Sequence, residues 1–290
     1  MNLAFDYFYK NIPNTDIDQR FKIDFKPVTR PLLSWKEELI ISAKQIVEST
    51  NKPIYVLMSG GIDSEVVARL LIEIGADFKA LTIKHKNSTN HNDTVYAYQF
   101  CKENNIDQIM VELDTEHFLT LGIEKYINQG YRSSNIYHYQ QLFILETLEK
   151  LGGFGIGGAG EQIYQSVNNQ IHLKFNPYYM LGMDWCKNNG TEHQLWFNLS
   201  TPEIYASYLN IDIISFLLEK PEYFVNHHFA SIEKILIYHK YWPTMKKRKK
   251  LSGFENINRG PIEKQLKIRF PDLVDMFIPI TVIKNQLGVS

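Results

Sequence analysis

The chain has 290 residues, enough to bury a full core as one large domain or as one domain with a sizeable appendage. Its 44% hydrophobic and 22% charged residues are those of a soluble globular protein, and a formal net charge of −1 excludes a global field for nucleic acid or membrane, so anion recognition must come from local clusters. Cys101 and Cys186 lie far apart and outside any CxxC pairing, which excludes a disulfide framework, a zinc ribbon or a paired-thiol redox centre.

The N-terminal MNLAFDYFYK lacks the basic and apolar regions of a signal peptide, and no apolar run approaches a membrane span, so a reducing, cytoplasmic setting is expected. Residues 1–34 show no clean periodicity and carry Pro13, Pro27 and Pro31, which predicts an extended arm with at most a short turn or strand. SWKEELIISAKQIVES repeats apolar positions at helical spacing, with Ser34 as N-cap and Glu37 completing a capping box. Pro53 ends that helix, and IYVLM, five apolar residues, suits a strand buried on both faces. SGGIDS, residues 59–64, connects it to SEVVARLLIEIG, a helix closed by Gly75.

FKALTI (78–83) predicts a second strand, TVYAYQFCKENN (94–105) a helix and QIMVEL (108–113) a third strand. Strands alternating with helices of this length indicate βαβ units and a parallel sheet. EHFLTLGIEKYINQG and IYHYQQLFILETLEKLG read as helices, GFGIGGAGEQIYQS as a glycine-rich strand and loop, and the turn at Asn168 and Asn169 before IHLKF as a hairpin. In STPEIYASYL, Ser200 is the expected cap and Glu203 its capping-box partner, and the pattern stays helical to about Tyr241 with a break at Pro221. The expected fold class is α/β: a Rossmann-like parallel sheet flanked by helices, with a mostly helical C-terminal part. The expected divisions are an arm and leading helix at 1–50, a central α/β domain at 51–200 and a helical subdomain with a basic segment at 201–290.

A loop that leaves a buried parallel strand and enters a helix points several backbone N–H groups at one spot, where the helix dipole also favours negative charge. In SGGIDS, Gly60 and Gly61 let the main chain approach a phosphate, Ser59 and Ser64 add hydroxyl donors, and Asp63 is suited to a magnesium ion that screens a polyphosphate. The alternative is an ordinary βα turn in which Asp63 or Ser64 caps the helix. Neither the GxxxxGK[ST] loop nor a GxGxxG dinucleotide turn is present.

With its preceding apolar strand, SGGIDS resembles the SGGxDS PP-loop of the N-type ATP pyrophosphatase superfamily, which includes asparagine, GMP, NAD and tRNA lysidine synthetases and tRNA thiolation enzymes. The resemblance implies ATP as cosubstrate with Mg2+, cleavage between the α and β phosphates, an adenylated substrate, and a nucleophile that displaces AMP. GGAGEQIYQS is similar to the GEGxDELFGGY segment of asparagine synthetases, which places Gly158 and Gly160 beside pyrophosphate and makes Glu161 a metal-binding and catalytic acid. Ala159 and Gln162 stand where that segment has acids.

RKKLSGF is similar to the basic, GF-ending segment of the same family, which makes Arg248, Lys249 and Lys250 candidates for stabilising pyrophosphate and the charge developing at the α phosphate. On composition alone, the run 246–250 is equally a solvated helix end. The fold implies that the end of strand two borders the nucleotide, with backbone groups of Thr82 and Ile83 meeting adenine and His85 nearby. No histidine pair shows metal-ligand spacing.

Asn at residue 2 stands where a glutaminase nucleophile would be Cys, so free ammonia, an amine or a separate amidotransferase is the expected nitrogen source. The favoured expectation is an ATP-dependent ligase that adenylates a small-molecule acceptor, a carboxylate, for attack by a nitrogen nucleophile. The alternatives are adenylation of a tRNA or nucleobase, with Tyr238, Tyr241, Trp242 and Phe254 gripping the polyanion beside the basic run, and a non-catalytic ATP-binding protein.

Overall fold

A computed structural model of the protein describes residues 3–9, 21–158, 163–175, 180–224, 232–246, 248, 253–257, 259–271 and 275–289. At its centre is a four-stranded parallel sheet formed by β3 (Ile54–Leu57), β4 (Lys79–His85), β5 (Gln108–Leu113) and β6 (Phe154–Ile156), in the order β5-β4-β3-β6. The connections are α2 (Ile62–Glu73) between β3 and β4, α3 (His91–Glu103) between β4 and β5, and a long helical crossover before β6. That crossover runs through Thr115–His117, a π turn at Phe118–Gly122 and α4 (Ile123–Asn128) to α5 (Ile136–Lys150). Right-handed crossovers put α2 and α3 on one face of the sheet, and the return from β5 across to β6 puts α5 on the other. The strand order therefore reverses between β3 and β6, where ligands bind in open α/β sheets. Gln194–Trp196 runs beside β6, with bridges from Ile156 to Gln194 and from Gly158 to Trp196.

The leading helix α1 (Trp35–Glu48) starts as its sequence requires: Ser34 accepts from the Glu37 amide, and the Glu37 side chain reaches back to Ser34. Its buried stripe of Trp35, Leu39, Ala43 and Ile46 packs on α2 and on α7 (Pro202–Leu209). The α7 cap differs from the expectation. Thr201, not Ser200, caps the Ile204 amide, and Glu203 turns away to accept from the amide and hydroxyl of Thr29, which ties the N-terminal arm down.

The arm also holds more than one short strand: β1 (Phe5–Tyr9) and β2 (Phe21–Phe25) pair antiparallel, and β2 alternates buried Phe21, Ile23 and Phe25 with exposed Lys22 and Asp24. The hairpin expected at Asn168 and Asn169 is present as β7 (Ile163–Val167) and β8 (Gln170–Phe175), and both asparagines have positive φ, the turn chemistry that such a hairpin needs. A third strand, β9 (Met276–Pro279), joins β8 from the far end of the chain. The remaining helices are α6 (Leu181–Asn189), α8 (Asp212–Leu218), α9 (Ile232–Tyr241), α10 (Gly260–Arg269) and α11 (Ile280–Leu287). Among the described residues, no helix is long and apolar enough to cross a membrane.

Candidate active site

The loop after β3 turns into α2 earlier than its sequence suggests. Gly61 is the N-cap residue with no side-chain cap bond, so Ile62, Asp63 and Ser64 form the first helical turn. The capping alternative for Asp63 and Ser64 is therefore not the geometry. Ser64 donates to the Gly61 carbonyl at 2.9 Å and lies 3.4 Å from the Ser59 hydroxyl, which itself accepts from the Gly61 amide at 3.2 Å. These contacts fold the loop on itself and leave the first-turn N–H groups of α2 without intrahelical acceptors, an anion-binding arrangement.

Gly60 has φ +92° and no room for a side chain, because a Cβ there would sit 1.9 Å from the Asp93 carbonyl oxygen at the start of α3. Gly158 approaches from the other side of the reversal point. A Cβ at Gly158 would lie 2.6 Å from the Asp63 carbonyl group and 2.7 Å from the Ser64 nitrogen. The two glycine-rich stretches thus meet main chain to main chain at the N-terminus of α2. Asn198 supports the second of them by donating to the Gly158 carbonyl at 3.3 Å, while its own Oδ1 is buried without a hydrogen-bond partner.

Asp63 is only partly accessible and is engaged from α9: Tyr238 donates to its Oδ1 at 2.6 Å, and Lys234 Nζ lies 3.3 and 3.4 Å from its two oxygens. Lys234 does not stand out in the sequence as a site residue, and Tyr238 does so only as a polyanion contact and not as a partner of Asp63, because the contact spans more than 170 residues and α9 reads as an ordinary amphipathic helix. The two residues share one helical face at i and i+4, which is the one signal that could pair them.

Arg248 is drawn to α2, the helix that carries Asp63. It forms a buried ion pair with Glu65, which also holds Arg69 at 2.7 Å, and its guanidinium lies 4.9 Å from the centre of the Tyr96 ring. Lys246 pairs with Glu103 at 3.3 Å. Both described cations of the basic run are thus matched by acids of the protein itself. Of the aromatic residues expected to grip a polyanion, Tyr238, Trp242 and Phe254 are buried in the core, which removes them from that role.

The carboxyl end of β4 is closed by Asn90, whose amide donates to the Ile83 carbonyl at 2.8 Å and accepts from the His85 amide at 2.9 Å. The Thr82 hydroxyl donates to the Met58 carbonyl and accepts from Gln108, both at 2.8 Å, locking β4 to the end of β3. His85 is fully buried against Phe254, with ring centroids 4.9 Å apart, and burial pushes its pKa down to about 4, so the ring is neutral. The GF pair of the C-terminal segment therefore seats on the β4 end of the crevice. Both cysteines are free and buried, with pKa values pushed up to about 11 for Cys101 and about 12 for Cys186, which suits packing rather than nucleophilic chemistry.

Gly160, Glu161, Lys249 and Lys250 lie outside the described residues. Among the described residues, no group of three or more His, Cys, Asp or Glu side chains could hold a metal ion. Asp63 is a single carboxylate at the loop. Such a donor fits a magnesium ion that keeps its waters and is shared with substrate phosphates, and it does not make a pre-built cage.

The family model described as asparagine synthase matches residues 35–141. No curated protein sequence matches the chain. Among solved structures, the chain is similar to an NMN synthetase from Francisella tularensis, with 13% identity, 80% of this chain and 92% of the other covered, and a TM-score of 0.35. It is also similar to an NH3-dependent NAD synthetase from Campylobacter jejuni subsp. jejuni NCTC 11168, with 16% identity, 82% and 94% covered, and a TM-score of 0.34. A U34-tRNA thiolase from Methanococcus maripaludis shares 13% identity over 90% of this chain and 86% of its own, with a TM-score of 0.35. The asparagine synthase family model thus matches the stretch that holds SGGIDS at the end of β3 together with the strands and helices around it, and this part of the chain is similar to that family.

Proposed function

We propose that the protein is an ATP-dependent adenylating ligase that activates a small-molecule carboxylate for attack by ammonia or an amine. The observation that carries this reading is the meeting of Gly158 with the Asp63–Ser64 main chain, which brings the second glycine-rich stretch onto the PP-loop at the point where the sheet order reverses. In this reading the N–H groups at the start of α2, with the hydroxyls of Ser59 and Ser64, hold the β and γ phosphates. Gly60, Gly61 and Gly158 let the main chain close on them, and Gly160 continues that wall. Thr82 and Ile83 face the base at the β4 end of the crevice.

Asp63 and Glu161 are the proposed magnesium ligands, and the ion would screen the polyphosphate charge. An acceptor carboxylate oxygen attacks the α phosphorus, and the bond to the β-phosphate oxygen breaks, with its electron pair leaving on pyrophosphate. Charge stabilisation of that leaving group falls to Lys249 and Lys250, with Arg248 as the anchor of their segment. The nitrogen nucleophile then adds to the acyl carbon, AMP departs with the electron pair of the C–O bond, and the nitrogen loses a proton. A separate amidotransferase is one source of the ammonia.

Product analysis tests the reading. The protein is incubated with Mg·ATP, ammonium and a panel of carboxylic acids, and the nucleotides are separated by ion-exchange chromatography. Release of AMP and pyrophosphate with one acid is expected, and release of ADP and orthophosphate with the acid that stimulates turnover refutes it.

A further inference from the structure

β5 is the outer strand of the parallel sheet. Its register to β4 runs unbroken from Ala80↔Gln108 to His85↔Leu113, and among the described residues no strand pairs with its other edge. The Asp107 carbonyl accepts from the Ala80 amide at 2.8 Å and the Leu113 carbonyl from the Lys86 amide at 2.9 Å, so the odd-numbered residues turn their main-chain groups to β4. Those groups alternate along a strand, and Gln108, Met110 and Glu112 therefore turn theirs outward. The side chains leave this edge open as well. α3 packs on β4, the next strand in, while Met110 is 42% exposed, Glu112 is exposed, and Ile109 and Val111 are only half-buried.

Native proteins blunt a free edge with a lysine, a proline, a bulge or a very short strand, because a row of open amides and carbonyls is a template for another strand. β5, QIMVEL, has six residues without a lysine, a proline or a bulge. We propose that this edge is the interface of a homodimer, in which β5 pairs antiparallel with β5 of a second copy about a twofold axis at Met110.

The occupant follows from the strand's complementarity to itself. About Met110, Gln108 faces the partner's Glu112, Ile109 faces the partner's Val111, and Met110 faces the partner's Met110. The outward main-chain groups of Gln108, Met110 and Glu112 all find partners in this register. Its apolar residues meet apolar residues, and Glu112, the one charged side chain of the strand, meets an amide, so no like charges are opposed. The pairing is isologous and closes on itself, joining the two parallel sheets into one and using up the edge in both copies. A strip this narrow belongs to the class of small interfaces, and the dimer dissociates on dilution.

Sedimentation equilibrium of the full chain without nucleotide, over a dilution series, reads the association. The wild type should pass from twice the mass of one chain to a single chain as it is diluted. Met110→Lys sets two ammonium groups against each other on the axis and should raise the dissociation constant by about a hundredfold. Ile268→Lys, at a 70% exposed position on α10, should leave it unchanged. Cross-linking supplies a second reporter that does not depend on weakening the protein. Directly opposed hydrogen-bonded residues of an antiparallel pair have Cα atoms about 5.5 Å apart, within the span of a disulfide. Both native cysteines are buried, so mild oxidation should rapidly join two copies of Met110→Cys and leave Ile268→Cys monomeric on a denaturing gel.

A wild type that stays monomeric at every concentration overturns the proposal. So does a Met110→Lys protein that dimerises as the wild type does, or a dimer in which Met110→Cys cross-links no faster than Ile268→Cys. None of these readouts involves ATP, so the proposed function stands or falls separately.

Discussion

Three histidines show how single residues set the response to acid. Burial pushes His85 to about 4, His138 to about 3 and His193 to about 4, so each is neutral in the fold and would take up a proton near pH 6.5 once unfolded. The unfolded chain therefore binds more protons below that pH, and the stability of the fold is fully present above about pH 6.5 and is lost as the pH falls toward 4, on the order of 1 kcal/mol per pH unit for each ring. Urea unfolding across this range should show the slope, and His193→Gln should reduce it by about one proton; an unchanged slope would refute the account. Glycines act at the same scale. Gly60→Ala places a methyl group against the Asp93 carbonyl at a positive φ, and neither partner is a side chain that can move aside. The expected cost is about 2–4 kcal/mol, read as a lower Tm. Gly158→Ala should instead separate the two glycine-rich stretches and weaken ATP binding by more than it lowers the Tm, measured by calorimetry beside a melting curve. Such positions are legible as glycines in the sequence, but not as contacts: nothing in SGGIDS reveals that Gly60 meets α3.

Between elements, the Glu65 and Arg248 pair is the strongest tie described between the basic segment and α2. Both side chains are nearly inaccessible, and Glu65 keeps Arg69 as a partner when Arg248 is removed. Arg248→Met should therefore destabilise the protein by about 1–3 kcal/mol in urea titrations, the loss of a buried charged hydrogen bond, whereas Lys246→Met, which breaks an exposed pair with Glu103, should change stability by less than about 1 kcal/mol. Equal effects would mean that the run is a solvated face after all. Local signals explain why so much of the sheet was readable: β5 matches its sequence-based bounds, the Ser34 capping box is formed, and the Asn168 and Asn169 turn makes its hairpin. The failures have equally local causes. β2 carries a clean alternation over only five residues, too short to stand out between prolines, and Glu203 prefers the amide of a distant Thr29 to the cap of its own helix.

At the scale of the whole molecule, the C-terminal third is where the sequence says least and the fold adds most. β9 completes a sheet begun about a hundred residues earlier, Gly253 and Phe254 close on Asn90 and His85, and α9 delivers Lys234 and Tyr238 to Asp63. All are long-range contacts, and periodicity in one segment carries no information about its partner. The PP-loop half of the site was legible because strand, glycines and helix follow one another in the chain; the half that faces it was legible only as two glycine-rich or basic stretches of unstated destination. The most direct measurement is a crystal structure with magnesium and a non-hydrolysable ATP analogue. The β and γ phosphates should lie within hydrogen-bond distance of the first-turn N–H groups of α2, with Gly158 beside them and the base at the end of β4. A triphosphate bound elsewhere, or bound with the α2 N-terminus still unused, would contradict the proposed site.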